Sequence, residues 1–530
     1  MIAALVVSLI LQRPLTPAAP VDQPGTIRGR VTAADSGRPL RRASVTIRSA
    51  AEGATFRVTG STNSLGQFEI KDVPPGPYSV SVSRSGFLSM QFGQRRANER
   101  GLTIDVGKGA TIEGIDVPLP RAGVLAGRIV DELGEPYPGV QVNALGTRYV
   151  NGKRTVAAIG GAATDDLGQY RIAGVPPGAY TIVAITTETW RNDRQETFGY
   201  ASTYYPGVSA DTAQRITLGP SEQRTDLDFT MRPSRVVRVG GHAQAEAGAP
   251  PPTGAQLAYR FGDGILTAGL RTARVAGDGS FEFPEVTEGV YLLSGSGTFD
   301  ETVTVRDTDV AGVALVSRMG STITGSVVSD QDAPPPFRSP GVRISLIAAS
   351  ERVLPTVRII TPDANWAFTM KNIGGPFLFR TLGLPEGWTL GAVKLGDRDM
   401  TDVPWDVPTG NKQIDGLSIV LTQKAGKVSG TVTDAAGKPT AAATVILFAD
   451  DEKLWMPGSR FVRAVRPSRD GTFSIAGLPA ASYRAVARDF VEDGQWEDAS
   501  FLDTIRDQAA RVIVGESASV TVFLQVVPVK

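Results

Sequence analysis

Thr164 to Ala184 reads T-D-D-L-G-Q-Y-R-I-A-G-V-P-P-G-A-Y-T-I-V-A, and this stretch decides the fold. Tyr170 and Ile172 alternate with Gln169 and Arg171, the period-2 pattern of a strand with one buried face. Gly168 supplies the positive φ of a tight turn, and Asp166 just before it suits an Asx turn. Val175-Pro176-Pro177-Gly178 ends the strand, because proline cannot donate to a ladder and glycine takes the left-handed position. Tyr180, Ile182 and Ala184 resume the alternation. A tyrosine directly after such a turn buries its ring and bonds its hydroxyl to nearby backbone.

The phrase recurs at Thr62 to Val82, Ala276 to Leu293 and Arg469 to Val486, and in degraded form at Asp363 to Ile373. Its anchor glycines Gly66, Gly168 and Gly279 are 102 and 111 residues apart, and Gly471 lies 192 further on. A period near 100 is the size of a domain, whereas a solenoid turn takes ~20–50 residues. Upstream of each copy runs a first strand with glycine at its middle: Gly25 to Val31, Gly123 to Asp131, Ser321 to Asp330 and Gly426 to Asp434, with Val236 to His242 a worn version. A turn and a second strand follow, as at Ala43 to Ile47, Gly139 to Ala144 and Ala443 to Leu447. A closing strand such as Ile115 to Leu119 or Leu227 to Met231 ends the unit.

Short strands, frequent turn signals and no helix-period segment predict an all-β chain: a tandem array of about five antiparallel seven-stranded β-sandwich domains. The expected units are 25–120, 121–233, 234–319, 320–423 and 424–530, after a signal peptide and linker at 1–24. Phe68, Tyr170, Phe281, Phe368 and Phe473 are expected to be buried at equivalent positions. Short links at Pro118 to Arg121, Arg232 to Arg235 and Gln423 to Ala425 favour a semi-rigid rod.

The pattern G-x-V-x-D-x-x-G-x-P, a V-x-V strand and D-x-x-G-x-[FY]-x-[IF]-x-x-[VL]-P-P-G-x-Y resembles the carboxypeptidase regulatory-like domain family. The resemblance is clear over 25–120, 121–233 and 424–530 and loose over 234–423. It implies a transthyretin-like (prealbumin-like) sandwich, grouped with carbohydrate-binding-like and pilin-backbone-type folds. It specifies fold more than function, since such domains accompany peptidases, outer-membrane transporters and surface proteins alike. In metallocarboxypeptidases the domain lies beside a catalytic zinc domain and has no catalytic residues of its own.

Composition narrows the chemistry. With 54 basic and 54 acidic residues there is no basic stripe to track a phosphate backbone, so nucleic acid is not an expected partner. Arg95, Arg96 and Arg100 read as a solvated polar loop. The chain has no cysteine, which excludes disulfides and thiolate metal sites. His242 is the one histidine, too few for a zinc-peptidase ligand set, and no G-x-S-x-G elbow accompanies it. Asp165-Asp166, Asp397 with Asp399, and Asp450-Asp451-Glu452 fall in expected turns, where aspartate is favoured for backbone reasons. No lysine sits at an interior strand position to form a Lys–Asn isopeptide bond. The expectation is no catalytic residue, no metal and no cofactor.

Ile2 to Leu11 is an apolar run too short for a bilayer span of ~20 residues and suited to an export signal, although the positive segment before it is missing. No later segment reads as a transmembrane helix. The expected location is secreted, periplasmic or cell-surface. Trp190, Phe198, Tyr200, Tyr204 and Tyr205 crowd a polar insert after the Tyr180 strand. Trp190, Tyr200, Tyr204 and Tyr205 are the candidate ligand-binding residues, since rings beside Asn192, Asp193, Arg191 and Arg194 suit a sugar platform; the alternative is that they cap the sandwich or pack on a neighbour. The expected function is a non-enzymatic binding or spacing array, with a polysaccharide or a cell-envelope protein as partner. The alternatives are a carbohydrate-binding accessory protein and an accessory partner of a peptidase or outer-membrane transporter.

Overall fold

The computed structural model describes residues 23–50, 55–150, 152–246, 248–262, 264–295, 301–337, 341–349 and 359–528. The candidate export signal lies outside the described residues. Five two-layer sandwiches follow one another, each built on the same local arrangement.

Its centre is the first strand: Gly25–Ala33, Gly123–Val130, Val237–Ala245, Ser321–Ser329 and Gly426–Thr433. Each pairs antiparallel with the strand that opens the repeated phrase. In every case the mid-strand glycine stands opposite the expected ring: Gly29 to Phe68, Gly127 to Tyr170, Gly241 to Phe281, Gly325 to Phe368 and Gly430 to Phe473. All five rings are buried. On its other side the first strand pairs with the closing strand, and this pairing is parallel in all five units. The sheets are otherwise antiparallel apart from one short pairing of Ala487 and Arg488 with Val526 and Val527.

The parallel neighbour explains the glycine. A Cβ on Gly29, Gly127, Gly241, Gly325 or Gly430 would overlap the carbonyl oxygen of Ile115, Leu227, Val313, Leu417 or Val522. The closing strand comes this close only where the first strand has no side chain. The facing sheet carries the rest of the core. In the first unit Ser44–Ser49 lies between Arg57–Ser61 and Gly76–Ser83, and Val45, Ile47, Val80 and Val82 pack against Ile27, Val31, Phe68 and Ile70.

The turns follow their side-chain chemistry. Asn63 Oδ1 accepts from the Leu65 and Gln67 amides at 2.9 and 3.0 Å, and Asp363 Oδ1 accepts from Asn365 and Ala367. In the second unit the Asx residue is Asp165, not Asp166: its Oδ1 accepts from Leu167 and Gln169. The left-handed position is glycine in four copies and Trp366, at φ 65°, in the degraded one. The tyrosine after the second turn donates to a carbonyl four residues back in four units: Tyr78 to Pro74, Tyr180 to Pro176, Tyr291 to Thr287 and Tyr483 to Pro479, at 2.6–3.0 Å. Burial raises the Tyr180 hydroxyl to about 12.

Two features depart from the sequence reading. A seven-residue helix, Ala499–Ile505, is capped by Asp498 and buries Leu502 and Ile505 beside Trp455 and Trp496. A segment of seven residues, under two turns long, is too short for a readable helical period. The chain also does not extend as a rod. The second and third units share one core, in which Leu145, Val183, Ile185 and Tyr204 pack with Leu257, Tyr259 and Phe261. Arg460 bonds Asp402 through two nitrogens, at 2.8 and 2.7 Å, joining the fourth unit to the fifth. The fifth then packs back on the first, closing the array on itself.

Alanine at Gly430 or Gly325 should destabilise its unit by about 1–3 kcal/mol or more, because it drives a methyl into a backbone carbonyl. Gly277→Ala, where an added Cβ meets nothing, should stay within about 0.5 kcal/mol. Chemical denaturation of the three variants measures both. Tyr483→Phe should cost about 1 kcal/mol through the lost bond to Pro479 in the same assay.

Candidate functional site

The aromatic insert forms a small sheet. Thr189–Arg191 pairs with Thr197–Ala201, which pairs with Arg232–Arg235, the strand leading into the third unit. Its rings separate into three environments. Trp190 stacks on Phe198 at 6.1 Å and on Tyr200 at 4.6 Å, and Tyr200 also meets Tyr137 at 5.1 Å. Tyr200 is buried and donates to the Glu132 carboxylate; burial, then that bond, raises its pKa. Tyr204 is 4% exposed within the core shared with the third unit, its hydroxyl 3.2 Å from that of Tyr259. Tyr205 is half-buried, edge-on to Phe229 at 6.0 Å. The four candidate residues therefore present no common exposed face, and two of them are enclosed by protein.

Five of the seven carboxylates singled out in the sequence are engaged in the fold. Asp165 caps its turn, and Asp399 accepts from the Thr401 amide at 2.9 Å. Asp450 pairs with Arg484 at 2.6 Å, Asp451 caps Lys453, and Glu452 pairs with Arg506. His242 is exposed on the first strand of the third unit, opposite Ser280. No group of three or more metal-type ligands is present among the described residues.

A polar constellation lies where no motif pointed, on the seam between the first and fifth units. Arg466 reaches across it from the fifth. Its Nη1 donates to the carbonyls of Gly93 at 2.8 Å and Arg100 at 3.0 Å, and its Nη2 to Ala441. Glu99 lies 3.7 Å away; the two side chains are 3% and 0% exposed. Burial lowers the Arg466 pKa, and Glu99 opposes that shift.

Arg95, Arg96 and Arg100, read from sequence as a solvated face, are the first unit's half of this seam. Arg95 bonds Glu99 at 2.8 Å and the Asp489 carbonyl, and Arg100 donates to Ala464 at 3.1 Å. Arg96 covers the Phe490 ring at 4.9 Å, and Arg100 covers Trp496 at 5.5 Å. From the other side Arg469 bonds the Gly114 carbonyl at 2.8 Å and covers Phe92. The Asp493 amide donates to the Asn98 carbonyl at 2.8 Å, and Glu99 and Glu492 face each other in an antiparallel bridge. The second unit joins in: a Cβ on Gly152 would overlap the Glu497 carbonyl, and Tyr149 packs on Gly494.

Residues 26–118 and 124–232 each match the family model of the carboxypeptidase regulatory-like domain, so these two segments are tandem copies of that domain. No curated protein matches the chain. Among solved structures, the Bacillus anthracis TIE protein aligns over 74% of this chain and 68% of its own, at 10% identity and a TM-score of 0.17. A streptococcal ancillary pilin aligns over 56% of this chain and 99% of its own, at 12% identity and 0.19. The shaft pilin SpaA of Lactobacillus rhamnosus GG aligns over 41% and 100%, at 14% identity and 0.21.

Tyr204→Ala should lower the stability of the shared second–third core by about 3–5 kcal/mol, read as a shift in the denaturation midpoint, since it empties a packed site between two units.

Proposed function

We propose that the two carboxypeptidase regulatory-like domains and the three sandwiches after them form a non-enzymatic scaffold of the cell envelope that works as one closed body. The proposed units are 25–120, 121–233, 234–319, 320–423 and 424–530. The observation that carries this reading is the seam, on which five arginine side chains and an ion pair removed from solvent are committed to holding the fifth unit on the first. A chain of independent beads has no use for Arg466, two of whose three carbonyl partners and whose carboxylate neighbour are supplied by closure. The insert rings serve the same end: Tyr204 fixes the second unit to the third, and Trp190 with Tyr200 caps the second.

The proposed location is outside the cytoplasm, at the surface or in the periplasm. It rests on the apolar run Ile2 to Leu11. No helix among the described residues is long and apolar enough to cross a membrane.

The cysteine-free chain makes the test direct. Asn98→Cys with Asp493→Cys places two thiols on residues that are hydrogen-bonded across the seam beside the Glu99–Glu492 bridge, where hydrogen-bonded antiparallel partners stand about 5.5 Å apart, a Cα separation a disulfide spans. Mild oxidation should give near-complete intramolecular crosslinking, seen as a gel-mobility shift. Adding Arg466→Ala removes the donor to the Gly93 and Arg100 carbonyls and leaves Glu99 only its partners within the first unit, and should sharply reduce the yield. No crosslink in the parent chain, or equal yield with Arg466→Ala, would refute the closed scaffold held by this contact.

A further inference from the structure

Where the hairpin of the second unit meets the seam, three units enclose a cavity of about 480 Å³ that opens to solvent. Its size lies within the ~300–1,000 Å³ of small-molecule sites. The Glu99 carboxylate on its wall is already neutralised by Arg95 and Arg466. Around it stand polar groups that the fold leaves open. The Gln91 amide nitrogen, the Asn98 amide, and the Glu492 and Asp493 carboxylates make no side-chain hydrogen bond among the described residues. Tyr149 lines the same wall, half-buried, with its Cβ and backbone against Gly494.

These groups select a ligand class. Glu99, Glu492 and Asp493 balance Arg148 with Arg95 and Arg466 behind the wall, so the cavity has no charge excess to hold phosphate, nucleic acid or an acidic polymer. Met90 and Val150 are the only aliphatic side chains on the wall, too little for a lipid or an apolar peptide. A carboxylate accepts two hydroxyls at once, and a side-chain amide donates and accepts in one plane. Neighbouring hydroxyls of a sugar ring match that set, and the ring's C–H face matches the apolar face of a tyrosine.

We infer that this cavity binds the end of a neutral oligosaccharide. Glu492 and Asp493 accept from its hydroxyls, Gln91 and Asn98 donate to them, and Tyr149 lies against one sugar face. The inference rests on the closed scaffold, because no single unit contains the site. It places glycan recognition on the seam and not on the Trp190 insert.

The full chain is titrated calorimetrically with maltotriose, cellotriose and chitotriose in turn. At least one should bind saturably. Its affinity should fall at least about tenfold in the Glu492→Gln, Asp493→Asn double variant and in Tyr149→Ala, and hold in Trp190→Ala. Solution scattering of the double variant should match the parent, so that loss of binding is not loss of closure. A closed chain that binds none of the three, binding that survives the double variant, or binding abolished by Trp190→Ala overturns the site and leaves the closed scaffold standing. An open parent chain overturns both.

Discussion

In all five sandwiches a backbone carbonyl of the closing strand occupies the space where the first strand's middle residue would carry its Cβ. The rest of the unit is arranged around that contact. It lets the closing strand run parallel to the first, where it completes the sheet. It also leaves a hollow on the paired strand's side, which an aromatic ring fills: an added Cβ on Gly29, Gly241 or Gly325 would lie 2.6–2.8 Å from the tip of Phe68, Phe281 or Phe368. In the second unit the ring is Tyr170, and its hydroxyl donates to the Leu227 carbonyl that presses on Gly127. Glycine in a strand interior ordinarily weakens the strand; here the close approach that it permits repays the cost.

The seam between the first and fifth units repeats this logic between sandwiches. Carbonyls at loop ends, which water would otherwise satisfy, are met by arginines from across the gap: Gly93, Arg100 and Gly114 of the first unit by Arg466 and Arg469, and Ala464 and Asp489 of the fifth by Arg100 and Arg95. A desolvated Arg466–Glu99 pair adds little net stability over an apolar contact of the same shape. It is sensitive to misplacement, since another docking leaves Arg466 without the Gly93 and Arg100 carbonyls and without Glu99. Closure on one register is the consequence, and the three-unit cavity is a by-product of that register.

What the sequence revealed follows the range of each interaction. The Gly168 turn, the Tyr170 and Ile172 alternation and the Tyr180 hydroxyl bond are set within about ten residues, and all were legible. The Asx residue was misplaced by one, because Asp165 and Asp166 are chemically identical and only the backbone distinguishes them. The Asp363 turn was recognisable even though Trp366, held by Phe337 at 5.3 Å, replaces its glycine. Arg95, Arg96 and Arg100 could not be read correctly. Their partners lie more than 360 residues away, and a loop arginine that covers a distant ring has the same local signature as a solvated one. The Trp190 to Tyr205 insert was visible as a cluster, but the separation of its rings among a cap, a core and an inter-unit seam is decided by Tyr137, Phe229 and Tyr259, outside it. The repeated strand arrangement was readable; the docking of one repeat on another was not.

Small-angle scattering of the purified full chain tests the closed scaffold most directly. A body in which the fifth unit returns to the first should give a radius of gyration of about 25–30 Å and a single compact distance distribution. Five units of similar size in a line would give roughly 50 Å with a long tail, and that result would contradict the account.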